Sequence, residues 1–150
     1  MKKYLLVILG MAIFLTLAYS VFSTFFQSKA VILTKNDIIK INVDVAETEE
    51  DKVMGLSNKK YLPANSGMLF VFDKEEYPNM WMRSTLMPLD MIFISSNFRI
   101  VDIKHVYPCK QDPCEIYKPE KRSKYVLEVN ENFTTKNNIG IGDRINIYLT

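Results

Sequence analysis

The chain has 150 residues, enough for one domain and a short targeting element, since domains commonly run to about 100–150 residues. Its net charge of +2 reflects 19 basic and 17 acidic residues; Lys2, Lys3 and Lys29 lie in an N-terminal stretch without acidic residues, and subtracting those three from 19 leaves 16 basic against 17 acidic. A nearly neutral domain has no long-range field to attract phosphate backbones, which argues against nucleic acid as a partner.

No charged side chain occurs over residues 4–26, and Lys2 and Lys3 precede the run. About 20 apolar residues cross a hydrocarbon core of about 30 Å, and basic residues on the short leading side keep that side cytoplasmic. The expectation is a single-pass anchor in the cell membrane, with residues 4–26 contacting lipid and the remainder extracytoplasmic. A cleaved signal, which would release the domain, is the competing reading, because Ala18-Tyr19-Ser20 and Ser28-Lys29-Ala30 carry small residues at cleavage-like spacing. The run exceeds a signal core of about 7–15 residues, which favours the anchor. Residues 1–30 are thus assigned to an anchor or signal segment, 31–36 to a tether and 37–150 to the exported domain.

The domain opens with the alternation of Ile39, Ile41, Val43 and Val45 against Lys40, Asn42 and Asp44, the pattern of a half-buried strand over 37–45. Thr48 is placed to cap a short helix with Glu49, Glu50 and Asp51 in its first turn, and Gly55 suits the exit. Pro63, Asn65, Ser66 and Gly67 form a turn before the apolar run 68–72, read as a buried strand. Residues 79–83 read as extended, with Met80 and Met82 on one side and Trp81 and Arg83 on the other. Segments 91–95 and 98–107 flank Ser96-Asn97 as a hairpin, and 124–130 and 144–149 supply two more strands. Short strands between turns, one brief helix and no long crossover helix predict a mainly β (α+β) domain. Its expected form is a compact β barrel or strongly bent antiparallel sheet with one short helix, preceded by an N-terminal transmembrane helix.

Gly55-Leu56, then Ser66-Gly67-Met68-Leu69-Phe70-Val71-Phe72, then Trp81-Met82-Arg83-Ser84-Thr85-Leu86-Met87-Pro88-Leu89-Asp90-Met91-Ile92-Phe93-Ile94, and Tyr125-Val126-Leu127-Glu128-Val129-Asn130 occur in that order. In these segments the chain resembles domain-of-unknown-function family 192, over roughly 43–149. The resemblance implies a compact, mainly β domain, commonly exported in prokaryotes, with no established activity. Arg83-Ser84 stands where the family more often has Lys-Asn, and Ser57 where it often has Met; Lys and Arg offer different donor geometries, so a shared ligand contact there does not transfer directly.

Trp81, Arg83, Asp90, Glu128 and Asn130 are the polar or amphipathic members of the matched segments and form the candidate ligand site. An indole platform flanked by a guanidinium and carboxylates suits a sugar or a peptide end. A purely structural reading fits the same residues: Asp90 accepting backbone N–H bonds, Arg83 neutralising Glu128, and Trp81 in the core. The leading expectation is a binding or accessory module with a small-molecule, glycan or protein ligand, no cofactor and no catalytic residue. One alternative is a carboxylate-dependent hydrolase of cell-surface polymers built on Asp90 and Glu128. Cys109 and Cys114, the only cysteines, are expected as a disulfide outside the cytoplasm. A further alternative is a soft copper or zinc site joining them to His105 and to Met80 or Met82.

Overall fold

The computed structural model describes residues 2–25 and 27–150, with side chains of the first helix described at 4 and 8–18 only. That helix, α1 (Lys2–Phe25), leads into β1 (Lys29–Leu33) and β2 (Ile38–Ala46). There follow α2 (Glu49–Met54), β3 (Ser66–Glu76), β4 (Leu89–Ile94), β5 (Ile100–Val106), β6 (Ser123–Asn130), α3 (Phe133–Lys136) and β7 (Arg144–Tyr148). Among the described residues no helix is long and apolar enough to cross a membrane. The spanning expectation over 4–26 falls on α1, and much of it on side chains outside the described residues. Those that are described, among them Ile8, Leu9, Phe14 and Leu15, are exposed.

The strands form one sheet in the order β5-β4-β6-β3-β2-β1-β7. The sheet curls until its edges meet at one end: Arg99 bridges Arg144, Ile145 N–H donates to Phe98 O (3.0 Å) and Ile100 N–H donates to Asp143 O (3.0 Å). The result is a half-barrel, mainly β as expected. Inside the curl lie Ile32, Ile41, Leu69, Ile92, Leu127, Val129 and Ile145, drawn from nearly every strand. A second apolar cluster, with Leu56, Phe70, Met82, Met91, Phe93 and Val126, covers the outer face of β3, β4 and β6. Because β4 is covered on both faces, all six of its residues are buried, and it reads as a continuous apolar run instead of an alternation.

Three expectations need correction. The stretch 31–36 is not a simple tether: Ala30 and Ile32 are fully buried, and β1 pairs antiparallel with both β2 and β7. Its five residues are too few for alternation to stand out from a linker, and two flanking partners supply what the local pattern lacks. The sheet is not wholly antiparallel either, since β2 and β3 run parallel from Asn42↔Ser66 to Ala46↔Phe70, with α2 in the crossover. That helix is held by the expected cap: Thr48 Oγ1 accepts from Asp51 N–H (3.1 Å) and donates to Asp51 Oδ2 (2.6 Å). Lastly, α3 adds a second short helix where Thr134 and Thr135 gave no helical signal. Asn132, at φ 61°, opens it in the left-handed region that asparagine tolerates.

The tightest approach in the sheet is at Gly67, which pairs with Val129. A Cβ there would lie 2.6 Å from the backbone oxygen of Glu128 and 3.1 Å from Leu127 Cδ1, so only hydrogen fits between β3 and β6. Gly67→Ala is therefore expected to separate the two strands and to lower stability by about 1–3 kcal/mol, the usual cost of overpacking. The urea midpoint of the variant against the parent measures this; an unchanged midpoint would show that the strands yield at no cost.

Candidate functional site

Strand register decides which side chains meet. Met91 lies opposite both Lys104 and Glu128, and Glu128 opposite Met68, itself opposite Asp44. Paired residues point to one face, so Lys104, Met91, Glu128, Met68 and Asp44 form a row across the outer face of the half-barrel. Every charged member except Glu128 has a partner: Lys104 Nζ lies 3.1 Å from Asp102 Oδ2, and Lys59 Nζ 3.1 Å from Asp44 Oδ2. Glu128 is 4% exposed, and its carboxyl has no hydrogen-bond or ion-pair partner among the described residues. Burial alone raises its pKa from the usual carboxylate value to about 8, so at neutral pH it is held mainly as the neutral acid.

Glu128 opens into a cavity of about 130 Å³ between the outer face of the sheet, α2 and the 79–85 segment. Phe70, Phe72, Met80 and Gly55 line it, with Trp81, Arg83, Asn79 and Thr85 on the side of the 79–85 segment. Met80 and Met82 are buried while Trp81 and Arg83 are exposed, the alternation expected of an extended segment. Gly55 ends α2 at φ 47°, a conformation that disfavours a side chain, and a Cβ there would press on Phe70 Cζ at 3.3 Å. The absence of one keeps α2 close over the cavity. Thr85 is 8% exposed, and its hydroxyl, like the Glu128 carboxyl, makes no hydrogen bond among the described residues. Both lining cations are already engaged. Lys52 Nζ bonds Glu49 Oε1 (3.0 Å) and sits over the Phe72 ring, 5.2 Å from its centroid. Arg83 Nη2 donates to Asp112 Oδ2 (2.8 Å).

Of the five residues proposed from sequence, the cavity brings together Trp81, Arg83 and Glu128 and leaves two elsewhere. Asp90 points into the half-barrel and is fully buried. Its Oδ2 accepts from the Thr134 N–H (2.9 Å) and hydroxyl (2.6 Å), its Oδ1 accepts from Asn132 N–H (3.2 Å), and His105 Nδ1 lies 2.7 Å from Oδ1. With both oxygens so occupied it pins α3 to the sheet. Asn130 donates through Nδ2 to Leu62 O (3.0 Å) and Pro63 O (3.1 Å), holding the turn before β3, and borders a separate depression beside Tyr61 and Phe133. Asp90 and Glu128 therefore project to opposite faces of the sheet and cannot act on one glycosidic bond, which removes the two-carboxylate hydrolase. Arg83 pairs with Asp112 and not with Glu128.

Cys109 and Cys114 form the expected disulfide, with Cα atoms 5.5 Å apart. Asp112 lies in the loop that the disulfide closes, and its carboxylate is near both sulfurs. Those sulfurs are bonded to each other, so they are not the thiolates that a soft metal requires, and His105 is engaged with Asp90 on the opposite face. The proposed copper or zinc set is thus divided between two sides of the sheet. Sequence reasoning passed over Thr85 and Asn79, which stand in no motif of their own, and took Phe70 and Phe72 only as core.

The buried carboxyl carries a pH signature. Unfolded Glu128 loses its proton near 4.5, whereas the native acid keeps it to about 8. The native state thus binds more protons between these values, and stability falls as pH rises through the window, by at most about 5 kcal/mol. Glu128→Gln is expected to remove that part of the slope and to be the more stable form above pH 8, read from urea midpoints between pH 5 and pH 9. An identical slope in the variant would show that the carboxyl is solvated.

No curated protein matches the chain at a significant level. Among solved structures, a protein of Sinorhizobium meliloti 1021 called "a putative transcription regulator" shares 27% identity at a TM-score of 0.75, over 81% of this chain and 93% of its own. A protein of unknown function from Novosphingobium aromaticivorans DSM 12444 shares the fold at a TM-score of 0.73 and 23% identity, over 79% of this chain and 83% of its own. The family profile of DUF192, described as Uncharacterized ACR, matches residues 31–147, which takes in β2 to β6 whole, most of β1 and β7, and every residue lining the cavity: the chain belongs to the DUF192 family.

Proposed function

We propose that this chain is a membrane-held, outward-facing binding module whose cavity on the outer face of the half-barrel receives a small ligand, such as part of a glycan or a peptide end. The observation that carries this reading is the convergence of Trp81, Arg83 and Glu128 on one cavity with a buried carboxyl left without a protein partner. Buried polar groups are ordinarily satisfied within the fold, so an unpaired acid facing a cavity is set up to bond something that enters it. Trp81 adds an apolar face at the rim, 39% exposed, where a ring or an alkyl segment can lie. The near balance of 16 basic and 17 acidic residues beyond the leader supports a small ligand over DNA, despite the regulator's name attached to the Sinorhizobium meliloti structure.

The membrane part of the proposal rests on the uncharged run 4–26 and on the exposed apolar side chains of α1. The Cys109–Cys114 disulfide agrees with an oxidising compartment. Ligand capture is tested by thermal shift of the full chain against glycans and short peptides. A ligand should raise the melting temperature of the parent and leave Trp81→Ala unmoved, while both proteins melt alike without ligand. If every ligand that shifts the parent shifts Trp81→Ala equally, the cavity is not the binding site. For the tether, the full-length product should stay with the membrane pellet through alkaline carbonate extraction; release into the supernatant would discard the anchor.

A further inference from the structure

We infer that the group this cavity receives is a primary ammonium on a short apolar stem, with Glu128, Thr85 and Asn79 as acceptors and Phe70, Phe72 and Trp81 as walls; this rests on the binding reading above. An ammonium carries three donors and no acceptor. The cavity offers a matching set in a carboxyl, a hydroxyl and an amide carbonyl, none of them bonded elsewhere among the described residues. As residues Glu128 and Thr85 are each more than nine-tenths buried, and their unpartnered oxygens line the cavity, while Asn79 is exposed at its rim.

Charge separates this ligand from an anion. The other charged groups lining the cavity are Glu49 and Lys52 of α2 and Arg83; Lys52 is paired with Glu49, and Arg83 with Asp112. Along the strands flanking Glu128, Lys104 is held by Asp102, and Asp44 by Lys59. The one ionisable group lining the cavity that lacks a partner among the described residues is thus an acid, and once it gives up its proton its complement is a cation. The aromatic lining favours the same choice, because ring faces attract cations, and Lys52 already places an ammonium over Phe72. A volume of about 130 Å³ suits an amine of a few heavy atoms. The ammonium could come from a free alkylamine or from a lysine side chain of a peptide; the chemistry recognised is the same.

Calorimetric titration of the full chain with n-butylammonium, butan-1-ol, butyrate and Nα-acetyl-lysine amide tests the inference. Butylammonium is expected to saturate, with butan-1-ol and butyrate at least tenfold weaker. The incoming cation displaces the proton of Glu128, so the apparent affinity should rise by about tenfold per pH unit between pH 6 and 8, with one proton released to the buffer near pH 6. Glu128→Gln should abolish binding, and Thr85→Val should weaken it several-fold while keeping the pH dependence. Tighter binding of the lysine derivative than of butylammonium would assign the source to peptide, and equal binding to free amines. Absence of butylammonium binding at millimolar concentration, or binding indifferent to both substitutions, would overturn the cation. If butan-1-ol or a glycan then bound in a Trp81-dependent way, the cavity would still be a binding site, for a neutral ligand.

Discussion

Everything on the outer face depends on how closely β3 and β6 approach at Gly67. With hydrogen as the only side chain at Gly67, β3 lies against the Glu128 peptide; Met68 is paired with Glu128, and Phe70 and Phe72 of the same strand line the cavity into which the carboxyl opens. A strand that was merely adjacent would leave room for solvent, and the carboxyl would then behave as an ordinary surface acid. The cover of α2 depends in turn on Gly55, which ends the helix in a conformation that lets it lie over Phe70.

Asp90 and Glu128, buried on opposite faces of the sheet, stand in opposite situations. Inside the curl, Asp90 is anchored by two N–H groups, a hydroxyl and a ring nitrogen, a set that fixes α3 and leaves no free lone pair of consequence. Outside it, Glu128 is buried just as deeply and has none of these. Ordinary selection for stability would replace such a group by an apolar residue of similar size, since an unsatisfied buried acid is a net cost. Of two acids equally deep in the fold, only the second gives the protein a reason to be sought in ligand chemistry.

Much of this fold was legible in the sequence because local patterns agreed with the final packing. The alternation of Ile39, Ile41 and Val43 marks a strand with one covered face, and Thr48 with Asp51 marks a helix start by a bond local to the chain. What could not be read are the features set by partners far away in sequence. Strand β1 exists because β2 and β7 flank it, and the parallel register of β2 with β3 is a matter of topology that no window reveals. The site was half legible for a related reason. Trp81, Arg83 and Glu128 stand out as polar groups in apolar segments, but whether Asp90 joins them depends on strand parity, and a single residue along β4 turns a side chain from one face to the other. Ser84 is a smaller case: it sits at φ 57°, where asparagine is more at ease, which accounts physically for the asparagine more usual at this point in the family resemblance.

The position of β1 also orders events during biosynthesis. Its first residue, Lys29, is matched with Tyr148, so the earliest strand to be made is completed by the latest. Until the final segment emerges from the ribosome, one side of β1 presents open peptide groups and the half-barrel lacks its closing seam. Between the making of β2 and that of β7, β1 is thus a ribbon matched on one side only, next to the N-terminal helix, and its open side is a place for a chaperone or a neighbouring nascent chain to grip.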